Sequence, residues 1–198
     1  MPASSGRMRP AAVEALLEDR ALAGTGVLVV HAPRHRRNHT KGRKPMSDLQ
    51  AAADRVEIEA LRGEFADAAM MHDYDRFASL FTHDGAWRIP HGGISIVGRE
   101  NIRAAIEQAQ GHWDYFVQTT HPGAIQLAGD TAGGRAYICE FGHLRDGRSQ
   151  FHYSLYHDRY QRTPDGWKFT ERVYEVRYAD PSPLAGSGSG PHRVGSVS

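Results

Sequence analysis

The chain has 198 residues, of which 40% are hydrophobic, and this is enough for the core of one domain of ordinary size with additional tails. A single cysteine, Cys139, excludes an internal disulfide and is typical of a reducing cytoplasm, where we expect the protein to reside. No apolar run approaches the roughly 20 residues that a membrane helix needs, so no membrane partner is expected.

The basic character of the chain is concentrated in its first residues. Residues 1–45 hold nine Lys and Arg against three Asp and Glu, whereas the net charge of the whole chain is only +1. A basic arm for nucleic acid and a disordered leader both fit this composition. Because no aromatic residues interleave with the charges, we favour a disordered basic leader over residues 1–46 and expect no nucleic-acid partner. Residues 47–181 then form the folded domain, and the Gly-, Ser- and Pro-rich residues 182–198 form a flexible tail.

Helices are predicted early in the domain and long strands late. Apolar residues at three-to-four spacing and a capping Asp73 predict helices over residues 49–71, 74–81 and 99–110. Strands are predicted over residues 86–89, 94–97, 112–127, 131–143 and the two arms of a hairpin within 149–178. This order indicates an α+β fold with long antiparallel strands. Because the helices can cover only one face of such a sheet, we expect the other face to meet further copies of the chain in a homodimer or homotrimer.

The hairpin over residues 149–178 organises the predicted sheet. A turn at residues 163–166 pairs Thr163 with Trp167, and the same register places Arg172 opposite Asp158. Strand alternation then divides the side chains between two faces. One face carries His152, Ser154, Tyr156, Asp158 and Arg172, and the other carries Phe151, Leu155, Trp167, Phe169 and Val173. The polar face is either a wall that meets a ligand or a solvated face with an ion pair between its Asp and its Arg.

Four segments of the domain carry a recognisable pattern: residues 73–87 (DYDRFASLFTHDGAW), 98–102 (GRENI), 156–160 (YHDRY) and 165–169 (DGWKF). Together they resemble the SnoaL-like branch of the nuclear transport factor 2-like superfamily. The resemblance implies a cone-shaped barrel, in which a curved antiparallel sheet wraps around N-terminal helices and encloses a deep pocket. Within the superfamily the chain is similar to the group of scytalone dehydratase and hexachlorocyclohexane dehydrochlorinase. Those enzymes eliminate across a ring with a His and an Asp in the pocket.

The dehydrochlorinase pattern maps onto this chain residue by residue. His121, in the segment TTHP, occupies the position of the family's catalytic His. Arg172 occupies the position of an Arg that helps to bind the leaving group, and Trp87 matches a pocket Trp. The position of the family's Asp falls on Met70, which cannot orient a histidine or stabilise an imidazolium. The resemblance therefore implies a pocket whose His–Asp pair is not kept.

The resemblance and the polar face of the hairpin together define the candidate site. We expect His121 to move the proton, with assistance from His152 or Tyr156. The residues expected to contact the substrate are Trp87, Arg172, Met70 and Phe65. Asp67 and Glu140 are the two carboxylates that would replace the missing Asp. The histidines do not show the spacing of a zinc site, so no metal is expected.

These residues lead to two functional hypotheses. The first is a cofactor-independent lyase, isomerase or cyclase, of the dehydratase or polyketide-cyclase type, which acts on a hydrophobic cyclic substrate by His-mediated proton transfer in a closed pocket. The second is a non-catalytic ligand-binding or accessory subunit of the same fold, comparable to the small subunits of aromatic-ring dioxygenases, and Met70 favours it. A carboxylate within hydrogen-bond reach of His121 would support the enzyme, whereas wholly apolar surroundings of His121 would support the binding protein.

Overall fold

The computed structural model describes residues 48–188, so the predicted leader over residues 1–46 and residues 189–198 of the predicted tail lie outside the described residues. The helices are α1 (Asp48–Met70), α2 (Tyr74–Ser79) and α3 (Arg99–Gln110). The strands are β1 (Phe81–Ile89), β2 (Ile94–Val97), β3 (Trp113–His121), β4 (Ile125–Ala128), β5 (Thr131–Leu144), β6 (Ser149–Thr163) and β7 (Gly166–Asp180), and a 3-10 turn, Pro90–Gly92, joins β1 to β2. This order confirms the α+β class.

One curved, unclosed sheet forms the wall of the domain, and the helices pack against it. The strand order is β2–β1–β7–β6–β5–β3, and β4 continues beside β5 beyond the end of β3. The predicted antiparallel arrangement is correct for all strand pairs of the described residues except one, because β1 and β7 run parallel. The curvature leaves a space between the helices and the inner face of the sheet, as in the expected cone.

The single strand expected over residues 112–127 is in fact two strands. β3 ends at His121 and β4 begins at Ile125. Pro122 has no backbone N–H to donate to the ladder, so pairing stops there. The chain then passes very close to β5: a Cβ atom at position 123 would lie 1.9 Å from the carbonyl oxygen of Arg135, and only glycine fits. Because of this break, β3 and β4 pair with β5 in different registers.

The hairpin of β6 and β7 has a tighter turn than expected. Thr163 pairs with Gly166, not with Trp167, and one extra residue, Thr170, is then accommodated in β7 as a bulge. The bulge restores the predicted pairing of Asp158 with Arg172. It also shifts the alternation of side chains, so the predicted position of two aromatic residues on the face opposite to that of His152 and Tyr156 is wrong. Both of them, Trp167 and Phe169, belong to the buried core on the inner face.

The core is organised around one aromatic ring of α1. Apolar residues at three-to-four spacing turn towards the sheet, and among them Phe65 is almost fully buried. Its ring centroid lies 4.4 Å from that of Phe77, 6.3 Å from that of Trp87 and 5.5 Å from that of Tyr156. As predicted, Asp73 caps α2. Within residues 48–188, no helix is long and apolar enough to cross a membrane, and the cytoplasmic location stays a prediction.

Candidate active site

A pocket opens between α1, α3 and the inner face of the sheet. The empty space between these elements is about 740 Å³, a volume that includes open solvent. Its apolar wall includes Phe65, Phe77, Trp87, Ile106 and Phe116. Its polar wall is provided by four strands and includes Gln118, Glu140, His152, Tyr156 and Tyr174. This combination suits a ring-shaped ligand that carries a polar group.

Glu140 and His152 face each other across β5 and β6. The register of these strands pairs the two residues directly, and both line the pocket. The register follows from the preceding turn, where Gly147 adopts a positive φ of 93° and donates its N–H to the carbonyl of Leu144 at 2.9 Å. The Nδ1 atom of His152 lies 3.6 Å from Oε1 of Glu140, an ion-pair distance when the imidazole is protonated. The other ring nitrogen, Nε2, takes no part in this contact.

Hydrogen bonds hold the carboxylate of Glu140 in place. The hydroxyl of Tyr174 donates to Oε1, and Nε2 of Gln118 donates to Oε2 at 2.8 Å. The hydroxyl of Ser154 in turn donates to the Tyr174 oxygen at 2.8 Å. The same Tyr174 oxygen lies 3.5 Å from Nδ1 of His152. The carboxylate, the imidazole and the phenol therefore form one connected network on the inner face of β5, β6 and β7.

The network fixes the ionisation of its members. Burial opposes ionisation of Glu140, but contacts from His152, Tyr174 and Gln118 outweigh it, and the pKa of Glu140 is lowered. Burial and then the nearby Glu140 charge raise the pKa of Tyr174 well above its ordinary value. Burial also raises the pKa of Tyr156 far above its ordinary value. At neutral pH the pocket therefore contains an ionised carboxylate beside two phenols that keep their protons.

Four of the predicted site residues line this pocket: Phe65, Trp87, His152 and Tyr156. His152 belongs to the network just described, and Tyr156 lies four residues further along β6, opposite Tyr174. The aromatic rings of Phe65 and Trp87 form part of the apolar wall. The structure thus brings these four side chains together, and their roles towards a substrate stay predictions.

The predicted placement of His121 in the pocket is wrong. Gln118 is buried and lines the pocket, so alternation along β3 turns Thr119 and His121 to the opposite face of the sheet. The imidazole is exposed, and its Nε2 lies 3.4 Å from the hydroxyl of Thr119. The match to the family's catalytic histidine therefore holds in the sequence but does not bring this side chain to the pocket.

Arg172 is buried beneath the pocket and does not line it. Its side chain is fully buried and makes two hydrogen bonds to Asp158, from Nε at 2.8 Å and from Nη2 at 3.1 Å. The guanidinium carbon lies about 4 Å from the ring centroids of Phe65, Tyr156 and Phe169. The expected contact between Arg172 and a substrate is thus corrected to an ion pair with Asp158, and this pair is buried, not solvated.

Met70 and Asp67 also lie outside the pocket lining. The sulfur of Met70 accepts the backbone N–H of Gln118 at 3.3 Å, so Met70 supports the polar wall from behind without facing a ligand. Asp67 is exposed and pairs with Arg76 on the surface. Of the two carboxylates that were expected to replace the family's Asp, only Glu140 reaches a pocket histidine, and that histidine is His152.

Sequence reasoning missed five polar residues of the pocket, namely His91, Gln110, Gln118, Gln150 and Tyr174. Gln118 and Tyr174 occupy inward positions of β3 and β7. The signal that could have found them is the set of residues in register with His152 and Tyr156. Among residues 48–188, no group of three or more His, Cys, Asp and Glu side chains could hold a metal ion.

Comparison with known proteins agrees with this architecture. The model of the SnoaL-like domain matches residues 50–173, so the chain belongs to the SnoaL-like domain family. An uncharacterized protein of Mycobacterium tuberculosis is 29% identical over 135 residues, which cover 66% of this chain and 90% of that protein. The solved structure of LinA is 25% identical with a TM-score of 0.65, and the match covers 74% of this chain and all (100%) of LinA.

A further solved structure, hexachlorocyclohexane dehydrochlorinase LinA-type3 of Novosphingobium barchaimii, shows the same fold. It is 23% identical, has a TM-score of 0.64, and the match covers 74% of this chain and 100% of that chain. The similarity to the dehydrochlorinase group that the sequence motifs indicated is thereby confirmed. The chain has a fold that lyases of this group use, and the reaction itself has to be argued from the pocket.

Proposed function

We propose that the protein is a small-molecule lyase or isomerase in which His152 transfers a proton inside an apolar pocket. The observation that carries the proposal is the position of Glu140, whose carboxylate lies 3.6 Å from the His152 imidazole within the pocket lining. A carboxylate at this distance stabilises the imidazolium that forms when the histidine accepts a proton. His152 with Glu140 takes the role that the family resemblance assigned to His121.

The proposed reaction is the loss of water from a ring compound with a hydroxyl group β to a carbonyl. Nε2 of His152 removes the proton from the carbon beside the carbonyl, and the electron pair of that C–H bond forms the new C=C bond. The hydroxyl leaves with its bonding pair and takes the proton back from His152 as water. Tyr156 keeps its own proton because its pKa is raised, so its phenol donates a hydrogen bond to the carbonyl oxygen as negative charge develops there.

The apolar wall supports a hydrophobic, cyclic substrate. Rings of Phe65, Trp87 and Phe116 line the pocket, and flat aromatic side chains suit a flat ligand. Proton transfer of this kind needs no group other than side chains. Desolvation by this wall strengthens the interaction between the imidazolium and the carboxylate, because the local dielectric constant is low.

The test is a panel of bicyclic β-hydroxy ketones, with formation of the conjugated ketone followed by its absorbance. His152→Ala is expected to lower kcat by about 10²–10⁴-fold, the usual contribution of a general base. The matched control is His157→Ala, because His157 lies on the same strand, pairs with Glu175 at 2.6 Å, and is exposed on the outer face. Full turnover in His152→Ala, or an equal loss in the control variant, would contradict the proposal.

A second candidate function is the binding of a small ligand without chemistry. It is supported by Met70 at the position of the family's Asp and by His121, which lies outside the pocket. If the panel compounds bind to the wild-type protein and none is converted, this second function replaces the first. If any panel compound is converted and this conversion depends on His152, the result supports the lyase over the binding protein.

We also propose that the outer face of the sheet meets further copies of the chain in a homodimer or homotrimer. Tyr137, Tyr153 and Tyr178 are exposed on this face by 43%, 47% and 53%, and Tyr153 lies directly opposite Tyr178. A cluster of exposed aromatic side chains is typical of a protein interface. Light scattering coupled to gel filtration is expected to show an oligomer that Tyr153→Glu dissociates and Gln161→Glu does not. A monomeric wild-type protein would refute this.

A further inference from the structure

The charges around the pocket are unevenly distributed. Among the described residues that line it, Glu140 is the one carboxylate, and neither Lys nor Arg is present. His91 and His152 are the two further lining groups that can become charged by protonation. A proton on His152 is matched by the carboxylate that lies 3.6 Å away. The ligand therefore enters a site in which no lysine or arginine side chain offers a positive charge.

The arginines closest to the pocket do not change this balance. Arg172 lies behind the rings of Phe65 and Tyr156, and its Nε is bound to Asp158 at 2.8 Å. Arg62 is also fully buried and has its Nε 3.8 Å from the same Asp158 carboxylate. Both guanidinium groups are thus held in the core and are partly neutralised there. An anionic ligand would lose its hydration in the pocket without gaining a cation in exchange.

We infer that the substrate is an uncharged ring compound and that Glu140 acts as a charge filter, which excludes carboxylates and phosphates from the pocket. The inference rests on the proposed function, because it specifies the substrate of the same pocket. Neutral polar groups remain available for such a substrate, namely the amides of Gln110 and Gln118 and the phenol of Tyr156. These groups can hydrogen-bond to hydroxyl or carbonyl oxygens, and none of them offers a full positive charge.

The size of the discrimination follows from the charge of Glu140. With His152 in its neutral form, two negative charges about 6 Å apart, at an effective dielectric constant of about 20, repel enough to weaken binding about a hundredfold. The test is a pair of ligands that differ in charge but hardly in shape, naphthamide and naphthoate. We expect isothermal titration calorimetry at neutral pH to show about a hundredfold tighter binding of naphthamide to the wild-type protein.

A variant isolates the contribution of the carboxylate. Glu140→Gln keeps the size of the side chain and removes its charge, so the preference for naphthamide is expected to fall below about tenfold, mainly because naphthoate binds more tightly. The matched control is Glu175→Gln on the outer face, which is expected to keep the wild-type preference. Melting curves of both variants establish that they are folded, and the wild-type comparison decides the matter even if one variant does not fold.

The inference is overturned if the wild-type protein binds the two compounds within threefold of each other, if it prefers naphthoate, or if it binds neither. It is also overturned if Glu140→Gln keeps the full preference. Binding is measured here without turnover, so the outcome is separable from the lyase proposal. Full turnover in His152→Ala would refute the lyase and leave the charge filter standing, whereas equal binding of the two ligands would refute the filter alone.

Discussion

Replacement of Glu140 by glutamine tests the central pair of the proposed site. Glutamine keeps the size of the side chain and an acceptor for the Tyr174 hydroxyl, but it removes the negative charge that faces His152. At 3.6 Å, the attraction between the imidazolium and the carboxylate is about 1 kcal/mol at the dielectric constant of water and about 5 kcal/mol at an effective value of about 20. The pair is only 12% and 14% exposed, so we expect a value towards the upper limit.

This energy appears only when His152 carries the transferred proton, so it stabilises the transition state more than the bound substrate. Glu140→Gln is therefore expected to lower kcat by about 10- to 10³-fold, with little change in KM for an uncharged substrate. The assay is the formation of the conjugated ketone from the bicyclic β-hydroxy ketones. Glu140 acts through His152, and the split between kcat and KM distinguishes this positioning role from a general loss of structure.

The matched control for this experiment is Glu175→Gln, which removes the carboxylate of a His–Glu pair on the opposite face of the sheet, between β6 and β7. Its partner, His157, is exposed, so the loss of this pair is expected to leave kcat within twofold of the wild-type value. Wild-type kcat in Glu140→Gln, or a rise in KM without a fall in kcat, would refute the reasoning from distance and charge.

Three further predictions follow from the placement of charged groups. His121→Ala is expected to leave kcat within twofold of wild type, because the imidazole is exposed on the outer face; a fall of a hundredfold would show that His121 reaches the pocket. Asp158→Asn is expected to lower the free energy of unfolding by about 3–5 kcal/mol in urea titrations, because it leaves buried Arg172 without its counter-ion; a change below about 1 kcal/mol would contradict this. The lowered pKa of Glu140 means that its ionisation stabilises the fold above its ordinary pKa of 4.5, and that this contribution is lost as the pH falls through the lower value of the folded protein. Thermal melts of Glu140→Gln are therefore expected to lose less stability on acidification than those of the wild-type protein, and parallel curves would refute the assignment.

The succession of elements was predictable because it depends on local signals. Residues 99–110 form a helix with the predicted bounds, and Asp73 accepts the Arg76 N–H at 3.1 Å as an N-cap. The motifs that resemble the SnoaL-like family indicated the cone. The helix bounds and the cap follow from spacing and capping residues, each of which acts over a few neighbouring positions, whereas the cone was implied by the family resemblance.

The faces of the strands were less predictable, because a shift of one residue reverses every side chain. Glycine-containing turns of similar appearance gave different registers. Gly147 closes a turn that places Glu140 opposite His152, whereas Gly166 closes a tighter turn whose register is corrected later by the bulge at Thr170. Because of the bulge, Arg172 pairs with its predicted partner, Asp158. The core position of Phe169 was not predicted, because the bulge was not predicted. The sequence of β7 contains no local signal that predicts the bulge at Thr170.

The position of the proposed proton-transfer pair follows from these same registers. In the pattern that the chain resembles, an Asp of the first helix supports a His of the first long strand. Here the helix supplies Met70, whose sulfur binds the backbone N–H of Gln118, and the Gln118 side chain binds the Glu140 carboxylate beside His152. The contact from α1 thus leads through Gln118 on β3 to the carboxylate of Glu140. In the family pattern, the contact from the helix leads instead to a histidine on the first long strand. In the proposed enzyme, the acid–base pair lies on β5 and β6, two adjacent central strands. Direct cross-strand pairing there replaces the contact between the first helix and the edge strand in the family pattern.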